Sequence, residues 1–479
     1  MLVRSANDGD PAAQQELGSR YFFGKGFPID TVRAAYWIHK AADQNMSIAQ
    51  YNFGVFLNNG WGVEWNPFEA YRQFKAAAAH DLPEAEFAVG ISYTDNLVVP
   101  MDLTKAYRWI KAAAEAKFEP AQEVLPKLIR RMNPMPNDSV SSAGSSTTAA
   151  GNDSTLSAGS QAEEPIFLNF GPDTTSHVSD LTLLNEAFRE GNEKFKNALG
   201  VSDIFSASAA KPSAAGGKGA EKDSTAISMI ASAADAGSPE AFTVLGRCFE
   251  LGIGFPVDRI LAAEQYLRAA RMDSRRAPVL LLSLVHEKAF FEEVESRCKK
   301  GDDDAAFVWA GLTELGLDQR IDDKQAFHLL ATAADHDNIP SLIELGRCYY
   351  TGQWTTRNPV LGRQCWLRAA NEGSRDAEIR LAAAAVLSDS GEAQASLADT
   401  ISTLTEASND GSIVGQLALG YCFEKGIGVS QNTQEAVRLY RNCAERGSQS
   451  AYDALKRMYD QLRPREKEFD VEQDSTRIE

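Results

Sequence analysis

The chain has 479 residues, which is enough for several ordinary domains or for one long array of repeats, and 44% of them are apolar. The formal net charge of -18 disfavours general binding to nucleic acid or to anionic membrane surfaces. We expect no membrane span, because the apolar runs are shorter than the roughly 18–20 residues that a span requires.

The stretch GKGFPID (24–30) is compatible with a phosphate-binding loop, because two glycines flank a lysine and an aspartate follows. The same landmarks recur 36 residues later, at Gly60 and Gly62. Four further sets repeat with this spacing: Gly18, Gly54 and Gly90; Asp30, Asn66 and Asp102; Ala34, Ala70 and Ala106; Ala42, Ala78 and Ala114. A phosphate loop also needs a preceding strand, and none is apparent. We therefore interpret the glycine-rich stretch as a turn within a repeat.

Each repeat is predicted to contain two helices. Apolar residues at i, i+4 and i+8, such as Ala13, Leu17 and Tyr21, indicate one face of a first helix. The glycines of the turn allow positive φ, and Asp30 stands where a side chain caps the next helix. The second helix is predicted to include AAYWIHKAA (34–42), whose alanines permit close helix packing.

The same internal spacing recurs in the second half of the chain. Four clear units have their first landmark residue at Gly246, Ala310, Gly346 and Gly420. Two degenerate units fill the gaps near 277–301 and 377–411. The pattern predicts an all-α fold, an α-solenoid of helix-turn-helix repeats with a 36-residue period, in two arrays separated by a low-complexity linker.

The predicted organisation has four parts. Residues 1–130 form an N-terminal array of three units after a leading half unit, and residues 131–225 form a mostly disordered Ser/Ala/Gly-rich linker. Residues 226–462 form a C-terminal array that ends in a capping helix, and residues 463–479 form a charged tail, which we expect to be disordered.

Two points remain open at this level. The linker contains a possible helix at 179–198, which could dock on an array end, act as a recognition segment or be disordered. The chain also starts in the middle of a repeat, so either a short segment caps the array or further sequence precedes it. With that reservation, the absence of an apolar signal core and of tightly spaced cysteine pairs predicts a cytoplasmic protein.

The repeats resemble a known family. The segments LGSRYFFGKGFPIDTVRAAYWIHKAA (17–42) and LGRCFELGIGFPVDRILAAEQYLRAA (245–270) are similar to Sel1-like repeats, which belong to the tetratricopeptide superfamily. The resemblance implies a right-handed α-solenoid that scaffolds protein complexes. We therefore expect a non-enzymatic adaptor that binds partner proteins or peptides and needs no cofactor.

By analogy with tetratricopeptide relatives, the positions three before, one after and four after the landmark glycine line a concave groove. In the first array these are Gln15, Ser19, Phe22, Tyr51, Val55, Asn58, Phe87, Ile91 and Thr94. In the second array they include Arg247, Glu250, Ile343, Arg347, Tyr350, Leu417, Tyr421 and Glu424. The first set is comparatively apolar and aromatic, and the second combines charges with tyrosines, a composition suited to charged peptides. The alternative is that these residues only pack or are solvated.

No catalytic, cofactor-binding or metal-binding residue is predicted. Cys248, Cys348 and Cys422 each follow a landmark glycine by two residues, which indicates one interior helix position. Cysteine-rich relatives that bind penicillin carry a disulfide pair in each unit, and this chain lacks those pairs. The Ser-x-x-Lys matches at 208–211 and 296–299 have no companion motif, and the histidines are scattered. Two alternatives remain: an envelope or secreted protein that contacts the cell wall or a host, and a cell-wall or β-lactam hydrolase.

Overall fold

The computed structural model describes residues 2–132, 220–274, 276–287, 289–387 and 397–471. Within these ranges there are 22 α-helices and no β-strand. Helices that are adjacent in sequence pack against each other through both arrays. The prediction of an all-α solenoid built from helix-turn-helix repeats is confirmed. None of the described helices is long and apolar enough to span a membrane.

The chain divides into two compact units, Met1–Pro172 with Tyr452–Glu479, and Asp173–Ala451. The helices of residues 2–132 are α1 (Leu2–Asn7), α2 (Pro11–Phe23), α3 (Thr31–Ala42), α4 (Ser47–Asn59), α5 (Pro67–Ala78), α6 (Pro83–Ser92), α7 (Leu103–Glu115) and α8 (Glu119–Met132).

The second unit contains a longer series of helices. They are α9 (Ala220–Asp235), α10 (Pro239–Leu251), α11 (Arg259–Ala270), α12 (Ala277–Val285), α13 (Phe290–Lys299), α14 (Asp303–Glu314), α15 (Asp323–Asp335), α16 (Ile339–Thr351), α17 (Pro359–Asn371), α18 (Arg375–Leu387), α19 (Leu397–Asn409), α20 (Ile413–Lys425) and α21 (Thr433–Glu445). The degenerate repeats correspond to the helix pairs α12–α13 and α18–α19. The last helix, α22 (Gln449–Leu462), lies mostly in the first unit.

The turn inside each repeat has the predicted local chemistry. Gly24 ends α2 in the left-handed region at φ 69°, and its amide donates a hydrogen bond to the carbonyl of Arg20. The side chain of Asp30 then accepts a hydrogen bond of 2.8 Å from the amide of Arg33 at the start of α3. Asn66 and Asp102 cap the equivalent helices in the same way. The glycine-rich stretch is therefore the turn between the two helices of a repeat.

The landmark glycines let a large side chain of the second helix reach the first. A Cβ atom on Gly54 would lie 2.6 Å from the ring of Phe74, and one on Gly246 would lie 2.4 Å from the ring of Tyr266. Phe74 and Tyr266 each stand 20 residues after their glycine and are almost fully buried. This contact fixes how closely the two helices of a repeat approach.

Two predicted boundaries differ from the structure. Helix α9 begins at Ala220, inside the predicted linker, and most of that linker, including 179–198, lies outside the described residues. The expectation that the charged tail is disordered is wrong for 463–471, where a 3-10 turn (Lys467–Phe469) forms and Phe469 is 1% exposed. This ordering arises because the segment packs within the first unit, whereas the sequence pattern assigned its preceding helix to the second array.

Candidate protein-binding surfaces of the two arrays

The predicted groove positions of the first array lie on the first helices of its repeats. Phe22, Val55, Asn58 and Ile91 are buried, and so is Thr94. Four others remain half-buried and therefore partly accessible: Gln15, Ser19, Tyr51 and Phe87.

Aromatic contacts join neighbouring repeats along this face. The ring of Phe22 in α2 lies 5.0 Å from that of Phe56 in α4 and 5.1 Å from that of Trp61 in the following turn. Tyr51 packs at 5.8 Å from Phe74, and Phe87 packs at 5.5 Å from Phe118. The structure thus places the predicted aromatic residues in packing contacts, and Tyr51 and Phe87 are half-buried.

In the second array, the charged groove positions are engaged within the chain. Arg247 is 2% exposed and pairs with Glu250 at 2.8 Å. Glu250 also accepts a 2.5 Å hydrogen bond from the hydroxyl of Tyr266 in α11. Burial is the main cause, and the charge of Glu250 the second cause, of the raised pKa of Tyr266. This hydroxyl therefore stays protonated. The contact ties the first helix of the repeat to the second.

Arg347 belongs to a network that connects three repeats. Its guanidinium lies 2.7 Å from Glu314 of α14 and also contacts Glu344 one helical turn earlier. Arg271 pairs with the same two carboxylates, at 3.2 Å from Glu344. Burial opposes ionisation of Glu344, but Arg271 and Arg347 outweigh it and hold the pKa of this carboxyl below its usual value. Two cations and two anions therefore compensate each other inside the array.

The remaining predicted positions of this array also pack against their own repeat. The ring of Tyr350 lies 5.1 Å from that of Trp366, and Ile343 is 7% exposed. Glu424 accepts a 3.0 Å hydrogen bond from Tyr440, which repeats the pairing of Glu250 with Tyr266. Tyr421 and Leu417 are half-buried. The sequence located these residues on one type of helix but did not reveal that most of the charges are paired.

A further surface of the first unit was missed at the sequence level. Residues 459–471, here called the C-terminal segment, pack on α5 and on the turn that precedes α7. The ring of Phe469 lies 5.3 Å from Phe68 and 5.9 Å from Tyr71, and the guanidinium of Arg72 lies 5.2 Å from it. Tyr459 packs at 5.0 Å from Trp65.

Carboxylates of the C-terminal segment pair with cations of α5. Glu466 lies 2.9 Å from the guanidinium of Arg72, and Glu468 contacts the ammonium of Lys75. Glu468 also accepts a 3.2 Å hydrogen bond from the hydroxyl of Tyr71. We call Phe68, Tyr71, Arg72 and Lys75 the tail site.

Arg463 holds the start of the C-terminal segment. It donates hydrogen bonds to the carbonyls of Leu97 at 2.8 Å, Val98 at 3.2 Å and Phe469 at 3.0 Å. The turn of the third repeat has apolar residues, Leu97 to Val99, where the first two repeats have glycine-rich turns, and all three are buried. That departure from the repeat pattern is the signal by which the covered turn could have been noticed.

Within the described ranges, the residues considered as candidates for catalysis or metal binding do not cluster. The Ser296 and Lys299 pair lies on the exposed face of α13, where Lys299 forms an ion pair with Glu295 at 2.5 Å, and 208–211 lies outside the described residues. Cys248, Cys348 and Cys422 are buried in the predicted interior position, and burial raises the pKa of Cys348 to about 12. Across the described ranges, no group of three or more His, Cys, Asp or Glu side chains could hold a metal ion.

These features define an α-solenoid repeat protein whose surfaces consist of packed helix pairs. Comparison with known families identifies the repeat: the pattern described as "Sel1 repeat" matches residues 11–46, 47–82, 83–118, 240–274, 303–338, 339–374 and 413–448. The matches cover more than half of the chain, which therefore belongs to the Sel1 repeat family. Proteins built from these repeats typically mediate interactions between proteins.

Individual relatives are more distant. An uncharacterized protein of Neisseria meningitidis serogroup B, NMB1327, is 23% identical over 355 residues, which cover 73% of this chain and 63% of the relative. Among solved structures, c5321, described as a protective antigen of uropathogenic Escherichia coli displaying an SLR fold, is 20% identical with a TM-score of 0.32, over 96% of this chain and 82% of that one. A Sel1 repeat protein from Oxalobacter formigenes is 30% identical with a TM-score of 0.25, over 26% of this chain and 94% of that one.

Proposed function

We propose that the protein is a non-enzymatic scaffold or adaptor that holds partner proteins or peptides on its two repeat arrays. The observation that carries this proposal is the presence of Sel1 repeats in two compact units of one chain. Two arrays on one chain raise the effective concentration of one bound partner near another.

In the first array, the accessible parts of the half-buried side chains of Tyr51 and Phe87 are the proposed contacts. Both rings are already packed within the array, at 5.8 Å from Phe74 and 5.5 Å from Phe118. An aromatic ring that is fixed before binding loses little conformational freedom when a partner covers its accessible part. This face suits an apolar or aromatic peptide segment.

In the second array, the paired charges make Tyr350 and Tyr421 the better candidates for contact. A partner that used Arg347 would have to compete with Glu314 and Glu344, which already surround its guanidinium. Leaving a buried carboxylate without its cation is costly. We therefore assign Arg247, Arg347, Glu250 and Glu424 a role in shaping this surface, and the half-buried tyrosines a role in binding.

The test uses the full chain as bait for affinity capture from lysate, followed by quantitative mass spectrometry. We expect Tyr51→Ala with Phe87→Ala to lose at least one partner that the unmodified chain captures reproducibly, and Tyr421→Ala to affect a different partner. Tyr36→Ala is the matched control, because Tyr36 is 52% exposed on α3, the second helix of its repeat. If every partner is captured equally by the groove variants and the control, the groove proposal is wrong.

We also propose a cytoplasmic location. All six cysteines are free, and five of them are buried, which suits a reducing compartment. Cell fractionation with antibodies against the native chain tests this, and recovery in an extracellular or envelope fraction would contradict it.

A further inference from the structure

We propose that the tail site of the first unit binds acidic–aromatic peptide segments of partner proteins, and that the C-terminal segment occupies this site as an intramolecular competitor. The inference deepens the proposed interaction role by naming a partner chemistry. It concerns α5, whereas the grooves proposed above are formed by the first helices of the repeats.

The anchor of the contact is one aromatic side chain. Phe469 is 1% exposed, with its ring against Phe68 and Tyr71 and the guanidinium of Arg72 5.2 Å away. The two receiving aromatic residues are each 1% exposed and belong to a regular helix. A buried aromatic anchor surrounded by half-exposed polar groups is the arrangement found at strong contact points of protein interfaces.

Charge selects the two acidic residues that precede the anchor. Arg72 and Lys75 receive Glu466 and Glu468, on a chain whose net charge is -18. The hydroxyl of Tyr71 adds a hydrogen bond to Glu468. Both ion pairs remain substantially exposed, with side-chain exposures of 43% for Arg72 and 51% for Lys75. Exposed pairs of this kind select a partner by charge but hold it weakly, so another peptide can replace the segment.

The recognised element is short. Most contacts with the tail site come from three side chains within four residues, Glu466 to Phe469, and the last three of these residues form a single 3-10 turn. Arg463 and Tyr459 add contacts with Phe68, at 5.3 Å and 6.2 Å from its ring. The required ligand is therefore a segment in which two acidic residues are separated by one residue, and an aromatic residue directly follows the second of them. Such a segment needs no further folded structure in order to present these groups.

The test measures binding of a fluorescent peptide, RPREKEFDV (463–471), to the full chain by anisotropy. We expect Phe469→Ala to empty the site and to bind the peptide at least tenfold more tightly than the unmodified chain. Adding Lys75→Glu and Arg72→Glu to Phe469→Ala should abolish that gain. A peptide with alanine in place of the phenylalanine should bind at least tenfold more weakly.

A second pair of reagents covers the case in which Phe469→Ala does not fold. Glu466→Lys with Glu468→Lys keeps the anchor and removes the charge pairing, so the peptide should bind this chain several-fold more tightly than the unmodified one. The charge-reversed peptide RPRKKKFDV should bind only the chain that carries Arg72→Glu and Lys75→Glu.

Adding Tyr51→Ala and Phe87→Ala to the Phe469→Ala chain separates this inference from the groove proposal. The peptide affinity should not change, even if those groove substitutions abolish capture of other partners. Three results would overturn the inference: equal peptide affinity of the folded Phe469→Ala chain and the unmodified chain, loss of peptide binding on groove substitution, or concentration-dependent dimers that exchange the C-terminal segment.

Discussion

The carboxylate of Glu240 lies 2.6 Å from the guanidinium of Arg446, although 206 residues separate them along the chain. A second contact, 2.8 Å from Nε of Arg446 to Oε1 of Glu240, makes the pair bidentate. Glu240 is at the start of α10 and Arg446 directly follows α21, so the first and last Sel1 repeats of the second array meet. The amide of Gln449 also donates a 3.1 Å hydrogen bond to Asp273.

This closing contact should be measurable by a double-mutant cycle. We expect a coupling free energy of about 1–3 kcal/mol between Glu240→Gln and Arg446→Gln, because the pair is bidentate and Arg446 is mostly buried. The measurement is the free energy of unfolding of the second unit, obtained from urea titrations. The same cycle on Arg438 and Glu435, an exposed pair within one helix, is the control and should give less than about 0.5 kcal/mol. Equal coupling in the two cycles would contradict the closing role.

Two turn glycines with similar backbone angles should respond differently to alanine. Gly62 has φ 65°, and a Cβ atom there would lie 2.1 Å from the carbonyl oxygen of Thr31 in the preceding repeat. Gly26 has φ 79°, with nothing within 4 Å of such an atom. We expect Gly26→Ala to reduce the free energy of unfolding by about 1 kcal/mol, the cost of a left-handed residue, and Gly62→Ala by about 3 kcal/mol, since the repeats must separate. If urea titrations show that both variants lose the same free energy of unfolding, the neighbouring repeat moves away from the new Cβ atom without an energetic penalty.

A buried carboxyl should make stability depend on pH. Burial, partly offset by Arg268, raises the pKa of Glu264 from 4.5 to about 7. Between these two values the unfolded chain has released this proton while the folded chain retains it, so unfolding becomes easier as the pH rises. We expect Glu264 to remove up to about 3 kcal/mol of stability between pH 4.5 and pH 7.

The substitution Glu264→Gln should flatten this pH dependence, because the amide does not ionise. Urea unfolding at intervals from pH 4.5 to pH 7.5 provides the measurement, and Glu292→Gln, at an exposed position on α13, is the control. If both substitutions leave the slope unchanged, Glu264 is ionised in the folded chain.

Thiol labelling should report the unfolding of the second unit alone, because all six cysteines lie in the range from Cys248 to Cys443. Five are buried, and only Cys298 is half-buried. We expect a thiol reagent at pH 8 to modify Cys298 first and the other five only as the unit unfolds. Mass spectrometry of labelled peptides would show the order, and Cys298→Ser should remove the first phase. Early labelling of Cys348 would contradict the burial of the interior position.

The repeat chemistry could be read from the sequence because it is local and periodic. Gly24, Asp30 and Ala34 act within one helix-turn-helix unit, and repetition distinguishes them from chance. The degenerate units predicted near 277–301 and 377–411 coincide with the helix pairs α12–α13 and α18–α19, since the neighbouring units fixed the phase.

The groove was only partly predictable. The phase of the repeat placed Arg247 and Arg347 on the first helices of their repeats, but it did not reveal the carboxylates that pair with them. Glu314 comes from the preceding repeat, and its distance from Arg347 depends on how the repeats stack. Tertiary pairing of this kind has no sequence period.

The C-terminal segment was missed because it joins residues almost four hundred positions apart. The contact of Tyr71 with Glu468 spans 397 residues, and no spacing rule connects them. The apolar turn at 97–99 was the available signal, since a repeat turn that is buried needs a cover.

The position of Phe469 also determines the order in which the first unit can be completed during translation. Helix α5 leaves the ribosome well before the residues that cover Phe68 and Tyr71, because those residues lie about four hundred positions later in the chain. At ~5–20 residues per second, the intervening chain takes on the order of tens of seconds to synthesise. During that interval the nascent chain exposes an aromatic surface to chaperones that the finished protein conceals.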